Sequence, residues 1–445
     1  MTIKELAKIL KDNGICGAGG AGFPSYAKLN EKADTIILNC AECEPLLKVH
    51  RHILKAYTFE ILKALKLICE TVGAKNCIIA TKPSYKRTVE ALKEALVAYP
   101  DIRLSLLPET YPAGDEVITI YETTGRVVPA GDIPISVGVS VYNVETVYNI
   151  YRAVWEQKPV THKYVTMAGE VKNSVTLHVP LGTTFKELIT LAGGATVENY
   201  KLISGGPMTG VLVSPEGVVT KTTNAIIVLP ENHPVIIRKE NKTNINVKRV
   251  MSACCQCKSC TDMCPRHLLG HPIEPGEIMR AVSTGTINNP EAIVNSAYCS
   301  NCGVCELYAC PQSLSPRAII QELKMALKTK GIELPKPEFE PVSDKRAYRQ
   351  IPKSRVTARL GLTSYNRLAP ISEQVPDIKT VKVLLQQHAG APAVAVVKEG
   401  DKVTAGQIIA TPKEKALSNA IHASIDGKVT VVCEQFIVIQ KEALK

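Results

Sequence analysis

Nine of the fifteen cysteines crowd between residues 254 and 310, and their spacing constrains this chain more than any other feature. Cys254-x2-Cys257-x2-Cys260-x3-Cys264 is followed by Pro265. Cys299-x2-Cys302-x2-Cys305-x4-Cys310 is followed by Pro311, so the second run repeats the first with one extra residue before its last cysteine. Three thiolates at two-residue intervals wrap three corners of an iron–sulfur cubane, and a fourth that precedes a proline points toward a partner cluster. Two such runs predict two [4Fe-4S] clusters with exchanged fourth ligands. Cys254, Cys257, Cys260 and Cys310 form one set, and Cys299, Cys302, Cys305 and Cys264 the other. Structural zinc also uses CxxC pairs, but it predicts two pairs divided by a spacer rather than two unbroken three-cysteine runs. Cys255 adjoins Cys254, yet only Cys254 keeps the two-residue interval to Cys257. Cys69, Cys77 and Cys433 lie in apolar stretches and read as core.

A length of 445 residues predicts about three domains, and 45% hydrophobic content suits a chain that buries real cores. No apolar run approaches the ~20 residues of a membrane helix, and no charged-then-apolar leader opens the chain. The expectation is a soluble, cytoplasmic protein with no direct membrane insertion. Reduced thiols in that compartment again favour metal over disulfides. The formal charge of +11 falls to roughly +7 when two clusters, each with about two net negative charges, are counted. Lysines and arginines are dispersed and only 5% of residues are aromatic, so there are few stacking platforms and no nucleic-acid partner is expected.

Along the chain, Ile3, Leu6, Ile9 and Leu10 fall at helical spacing and predict an amphipathic helix over 2–13, packed on a core or serving as a targeting helix. Strands over 35–39, 77–80 and 103–107 alternate with helices around 51–73 and 84–98, which predicts a parallel α/β domain over 1–155. Short β segments with one helix near 184–192 predict a small module over 156–245. The cysteine runs occupy 246–330. Pro335, Pro337, Pro341, Pro352, Pro370 and Pro376 mark 331–376 as a basic linker with one short helix, its lysines and arginines a docking strip or a solvated face. Alternating Val, Ile and Ala with turns predict an all-β domain over 377–445.

Gly17-Ala18-Gly19-Gly20-Ala21-Gly22-Phe23-Pro24 contains GxGxxG, but it follows a helix rather than a strand, so a standard Rossmann dinucleotide site is not predicted there. A glycine run still lets backbone amides approach a flat ring or a phosphate. This turn, Lys28, Asn39-Cys40-Ala41-Glu42-Cys43-Glu44-Pro45, Ala113-Gly114-Asp115-Glu116 and Val141-Tyr142-Asn143-Val144-Glu145-Thr146 together resemble, in order, the flavin-binding subunit of respiratory complex I. The resemblance implies a Rossmann-like FMN and NADH domain. Gly17, Gly19, Gly20, Gly22 and Lys28 would hold the FMN phosphate and ring, Asn39 and Glu42 its ring and ribityl chain, and Gly114, Asp115 and Asn143 the remainder. Phe23 would stack on nicotinamide or adenine, while Glu44 and Glu116 would bind NADH hydroxyls. Ala18, Ala41 and Tyr142 depart from that pattern, where a basic residue, an acid and an amide are usual.

The full layout resembles the RnfC superfamily of redox-complex proteins: a flavin domain, a β-grasp (SLBB-like) module, a helical ferredoxin-like dicluster domain and a C-terminal barrel-sandwich domain. Ser204-Gly205-Gly206-Pro207-Met208-Thr209-Gly210, Val219 to Asn224 and Gln387-His388-Ala389-Gly390-Ala391-Pro392 support it. With the flavin domain first and the barrel-sandwich last, and with Cys264-Pro265-Arg266-His267-Leu268-Leu269-Gly270-His271, the order is similar to cobalamin reductases of the PduS type. That implies NADH oxidation on FMN, single electrons leaving through two clusters, and an acceptor protein in a hetero-oligomer. The acceptor would be a corrinoid-dependent enzyme system or other soluble reductase subunits, such as those of methylenetetrahydrofolate reductase or Rnf-type complexes, and the expected location is cytoplasmic or inside a bacterial microcompartment. No Asp-x-His-x-x-Gly corrinoid motif occurs. His267 and His271 read as solvated or capping residues, and Lys428 as an unmodified residue of a structural domain.

Overall fold

In the computed structural model, residues 1–240, 243–334 and 340–442 are described. The chain opens with α1 (Ile3–Asp12), started by a reciprocal Thr2–Glu5 capping box. It buries Leu6 and Leu10 completely, so it is a core helix. β1 (Thr35–Asn39), α2 (Val49–Ala56), α3 (Thr58–Val72), β2 (Asn76–Thr81), α4 (Lys86–Ala95), β3 (Ile102–Leu106), β4 (Thr110–Tyr111), α5 (Glu116–Thr124), β5 (Val139–Asn143) and α6 (Val144–Trp155) follow. Strands β3-β2-β1-β5 form a wholly parallel sheet. Ile36 and Leu38 join one core and Ile37 the other, which is why β1 is apolar at every central position rather than alternating.

The single helix expected over 51–73 is two helices that meet at Tyr57. That residue leaves helical geometry (φ −128°, ψ 42°), and its ring stacks 4.2 Å from Tyr148. Its hydroxyl meets that of Tyr164 at 3.0 Å. Apolar periodicity runs on through such a corner because both helices bury the same kind of face.

Next come β6 (His162–Gly169), β7 (Val175–Pro180), α7 (Phe185–Leu191), β8 (Tyr200–Ser204), β9 (Val211–Val213) and β10 (Ala225–Pro230). Their sheet order is β7-β6-β10-β8-β9, with β6 and β10 parallel at its centre and the remaining pairs antiparallel. The cysteine runs lie among the helices Thr243–Ala253, Ser259–Asp262, Pro275–Thr284, Pro290–Val294 and Pro316–Thr329, which share a small core around Val250, Ile278 and Ile320.

The segment read as a linker is packed from residue 340 onward; Pro335 and Pro337 lie outside the described residues. Ile351–Pro352 pairs antiparallel with β4, and Lys353–Arg359 is a helix. Ile351, Val356, Leu360 and Leu362 enter a core with Leu46, Tyr111 and Met208. Two of its basic residues hold the fold together: Arg346 pairs with Glu122, and the Lys353 ammonium donates to the Glu42 carbonyl at 2.9 Å, while Lys345, Arg355 and Arg359 are exposed. Proline content misleads here because prolines also start helices and sit on short edge strands.

The last domain is two small sheets. Thr380–Leu384, Phe436–Gln440, Gly427–Val432 and Lys402–Val403 make one; Val394–Ala395, Ile408–Thr411 and Ile421–His422 make the other. They enclose Val383, Ile409, Val429 and Ile437. Lys428 is exposed within a strand, paired with Lys402 and Gln440. Among the described residues no helix is long and apolar enough to cross a membrane.

Candidate functional site

At the carboxyl ends of β1 and β5 opens a cavity of about 300 Å3. Ends of parallel strands are where α/β sheets expose ligand-binding loops. Gly17, Gly19, Lys28 and Asn39 line it, as do Glu42, Glu44, Gly114, Glu116 and Asn143, so nine of the residues singled out in the sequence converge there. Two glycines are needed for close approach. A Cβ on Gly114 would fall 1.8 Å from the Ala41 carbonyl oxygen, and one on Gly19 would fall 3.0 Å from the Asn143 amide nitrogen. The turn closes on itself, with Gly17 N–H donating to the Phe23 carbonyl at 2.8 Å.

The polar side chains at the wall tie segments together. Asn39 donates to the Gly114 carbonyl (2.9 Å) and accepts from the Ala41 amide (3.0 Å). Asn143 caps α6 by accepting from the Glu145 amide, and its amide nitrogen meets the His50 ring at 3.0 Å. The Lys28 ammonium reaches Glu116 at 3.1 Å and the Val141 carbonyl at 2.9 Å. Glu42 is buried, with the Arg51 guanidinium at 2.9 Å and the His50 amide donating to it at 2.9 Å. Burial alone would raise its carboxyl, but Arg51, His50 and these hydrogen bonds outweigh that and hold it at about 2. It is an anion throughout the neutral range.

Five expected residues are placed elsewhere or otherwise engaged. Gly22 meets the C-terminal domain, its carbonyl accepting from the Ala389 amide at 2.9 Å. Gly20 and Phe23 are not on the cavity wall. Asp115 caps α5 through the Val117 and Ile118 amides and pairs with Arg266 at 2.9 Å. Glu44 lies at the rim, but its carboxylate accepts from the Met208 and Thr209 amides, both at 2.9 Å. Gly206 permits this contact, since a Cβ there would fall 2.1 Å from the Glu44 carboxylate. Asp115 and Glu44 thus join domains.

Sequence reasoning missed Lys163. Its ammonium is buried, pairs with Glu145, and donates to the Ala18 carbonyl (3.2 Å) and to Asn224 (3.0 Å), which itself lines the cavity. Strand β6 and the segment before β10 therefore supply part of the wall and anchor the glycine turn. The one signal was a lysine inside an otherwise apolar strand. His50, on α2, carried none.

The cysteines line two further cavities. One is lined by Cys254, Cys257, Cys260 and Cys310, with Cys255 beside them. The other is lined by Cys264, Cys299, Cys302 and Cys305. Each therefore gathers three thiols of one run and the last thiol of the other. Among the described residues, no three or more His, Cys, Asp or Glu side chains converge as a single-ion site. Four thiols spread around a void fit a cubane, whose corners are set apart by its own atoms. Left-handed Gln256, Lys258 and Asn301 curl the loops around the voids. Amides of Asn301 and Leu314 donate to Cys299 and Cys310 sulfurs at 3.3 and 3.4 Å. Burial pushes the Cys264 thiol up to about 11 and Cys302 up to about 12, so iron binding there releases protons.

The two cavities differ in position. The second adjoins the α/β domain: the Tyr111 hydroxyl donates to the Cys302 carbonyl at 2.6 Å, and Arg266, on its wall, reaches Asp115. His271 belongs to this contact, buried with its ring 2.9 Å from the Val128 carbonyl, rather than solvated. The first faces solvent, with Cys255 and Cys257 exposed.

Family models match these parts: the Nuo51 FMN-binding domain over residues 10–152, the SLBB domain over 164–212, a 4Fe-4S dicluster domain over 253–315 and the RnfC barrel sandwich hybrid domain over 364–444. The cobalamin reductase PduS of Salmonella typhimurium is 41% identical over 99% of this chain and 97% of its own. That of Citrobacter freundii is 42% identical over 98% and 96%. A component of the Na(+)-translocating ferredoxin:NAD(+) oxidoreductase complex of Acetobacterium woodii is 32% identical over 60% of this chain and 59% of its own. A chain of an NAD+-reducing [NiFe]-hydrogenase shares the fold at 19% identity, with a TM-score of 0.50 over 82% of this chain and 68% of that one. Identity at this level along nearly the whole length, with all four domains matched, means that the chain belongs to the PduS cobalamin reductase family.

Proposed function

We propose that this protein is an NADH-oxidising iron–sulfur flavoprotein that passes single electrons to a corrinoid or to a corrinoid-dependent partner. The observation that carries the reading is the order of the three cavities: a glycine-walled cavity, a four-thiol cavity tied to the same domain, and a four-thiol cavity open to solvent. FMN, when bound, supplies the conversion between a two-electron hydride and single electrons, which clusters carry.

The chain's own residues bind, orient and tune. Gly17 and Gly19 let the backbone approach a flat ring, and Lys28 offers an ammonium for a phosphate. Asn39 and Asn143 hold the loops on either side in register. Glu42, ionised and paired with Arg51, fixes the start of α2 against the wall. Glu116, paired with Lys28 on the cavity wall, is the carboxylate for nicotinamide-nucleotide hydroxyls, a role that Glu44 shares only at the edge. Arg266 and Tyr111 fix the second cluster cavity against the flavin domain, and the protein works in a hetero-oligomer with its acceptor.

The test is an anaerobic assay of the FMN- and cluster-loaded protein with NADH and cob(III)alamin, followed by visible absorbance. About two cob(II)alamins formed per NADH is the expected result, since one hydride carries two electrons. Reduction of a dye but not of cobalamin would move the protein to the reading favoured by its likeness to the Acetobacterium woodii protein, an input module for another reductase complex.

A further inference from the structure

The solvent-facing cluster cavity carries a surface suited to a particular kind of partner. The helix Thr243–Ala253 runs directly into Cys254. Ile245, Lys248 and Met251 recur at three-residue intervals on it, hence along one face, and all three are exposed, Ile245 at 52% and Met251 at 57%. That stripe leads into the exposed loop Cys255-Gln256-Cys257-Lys258 on the cavity wall. Large apolar side chains beside a redox group mark a contact surface when charge surrounds them.

Basic side chains dominate the charge here. From Asn244 to Cys260 the chain holds Lys248, Arg249 and Lys258 and no acidic residue. Helix Pro275–Thr284, packed against the first, adds Arg280 and a single carboxylate, Glu277, already shared between Arg280 (2.7 Å) and Lys258 (3.4 Å). Asp262, the next acid along the chain, is opposed by Arg349 at 3.8 Å. The loop Pro311-Gln312-Ser313 closing the far side is uncharged, with Arg238 and Arg249 donating to Ser313.

We infer that this basic, apolar-centred face, Ile245, Lys248, Met251 and Lys258, is the docking site of an acidic one-electron acceptor protein. This rests on the proposed function only for the source of electrons. The step is one electron leaving the solvent-side cluster for the acceptor's redox centre. The cluster is oxidised, the acceptor is reduced, and NADH or another reductant replenishes the electron. Opposite charge steers encounter, so the expected effect falls on kcat/KM and on its salt dependence.

The experiment uses the fully loaded protein, reduced either by NADH or by photoreduced deazaflavin. It reads electron transfer to a bacterial flavodoxin as acidic probe, to mitochondrial cytochrome c as basic probe, and to benzoquinone as uncharged probe. Flavodoxin reduction is expected to fall as salt rises, and cytochrome c reduction to rise. The double variant Lys248→Glu, Met251→Glu should lower kcat/KM for flavodoxin about 10-fold and leave benzoquinone within about twofold. The milder Lys248→Ala and the salt dependence of the unaltered protein decide the matter even if the double variant folds poorly. Flavodoxin rates indifferent to salt and to Lys248→Ala would overturn the docking site. Failure with NADH but success with deazaflavin would instead overturn the NADH reading and leave the docking site standing.

Discussion

Cys264→Ser is expected to remove the cluster held by Cys299, Cys302 and Cys305, not the cluster held by its neighbours in sequence. Cys264 lines the cavity with those three, whereas Cys254, Cys257 and Cys260 share theirs with Cys310. A serine hydroxyl ligates iron far more weakly than a thiolate, and this position is buried, so water offers no ready replacement. About half of the iron, four of eight atoms per chain, should be lost. Because the lost cluster adjoins the flavin domain, NADH should still bleach the flavin band while the remaining cluster stays oxidised. Iron analysis with low-temperature electron paramagnetic resonance of the reduced protein reads both effects. Retention of the Cys299-run signal with loss of the other would refute the exchanged ligation.

A second large effect is expected at Gly114. The alanine Cβ would sit 1.8 Å from the Ala41 carbonyl oxygen, a separation no real structure holds, so one of the two loops must move. Either movement breaks the 2.9 Å bond from Asn39 to the Gly114 carbonyl and displaces the wall that carries Ala41 to Glu44. Gly114→Ala should therefore weaken FMN binding by about 100-fold, close to 3 kcal/mol. The solvent-side cluster should be retained, because Cys254, Cys257, Cys260 and Cys310 belong to other elements. Fluorescence titration with FMN checks it, and affinity within about threefold of the unaltered protein would contradict the geometry.

The parts of this molecule that were legible in its sequence are those whose chemistry is local. The cysteine runs could be read because three ligands of a cubane must come from one tight loop, and the cavities group the last cysteine of each run with the three of the other, as its proline and spacing suggest. The alternating strands of the first domain could be read because a sheet covered on both faces leaves unbroken apolar runs such as Ile36-Ile37-Leu38. What escaped was non-local. Lys163 reaches the glycine turn, and Asn224 the cavity wall, only because the sheet of β6 to β10 docks there, and a lysine in a strand has no spacing rule to announce it. Asp115 and Glu44 stand in segments that look like ligand loops, yet their carboxylates meet Arg266 and the Met208–Thr209 amides. The basic, proline-rich stretch around residue 350 resembled a linker because its apolar residues are too few for a domain of their own. They complete a core begun elsewhere.

The most direct test of the account is an anaerobic NADH titration of the protein loaded with FMN and both clusters, followed at the flavin and iron–sulfur absorbance bands. The account predicts that both bands bleach and that the end point lies at about two NADH per chain, four electrons shared by one flavin and two one-electron clusters. Full bleaching by dithionite with none by NADH would contradict it, and would mean that electrons enter this protein by another route.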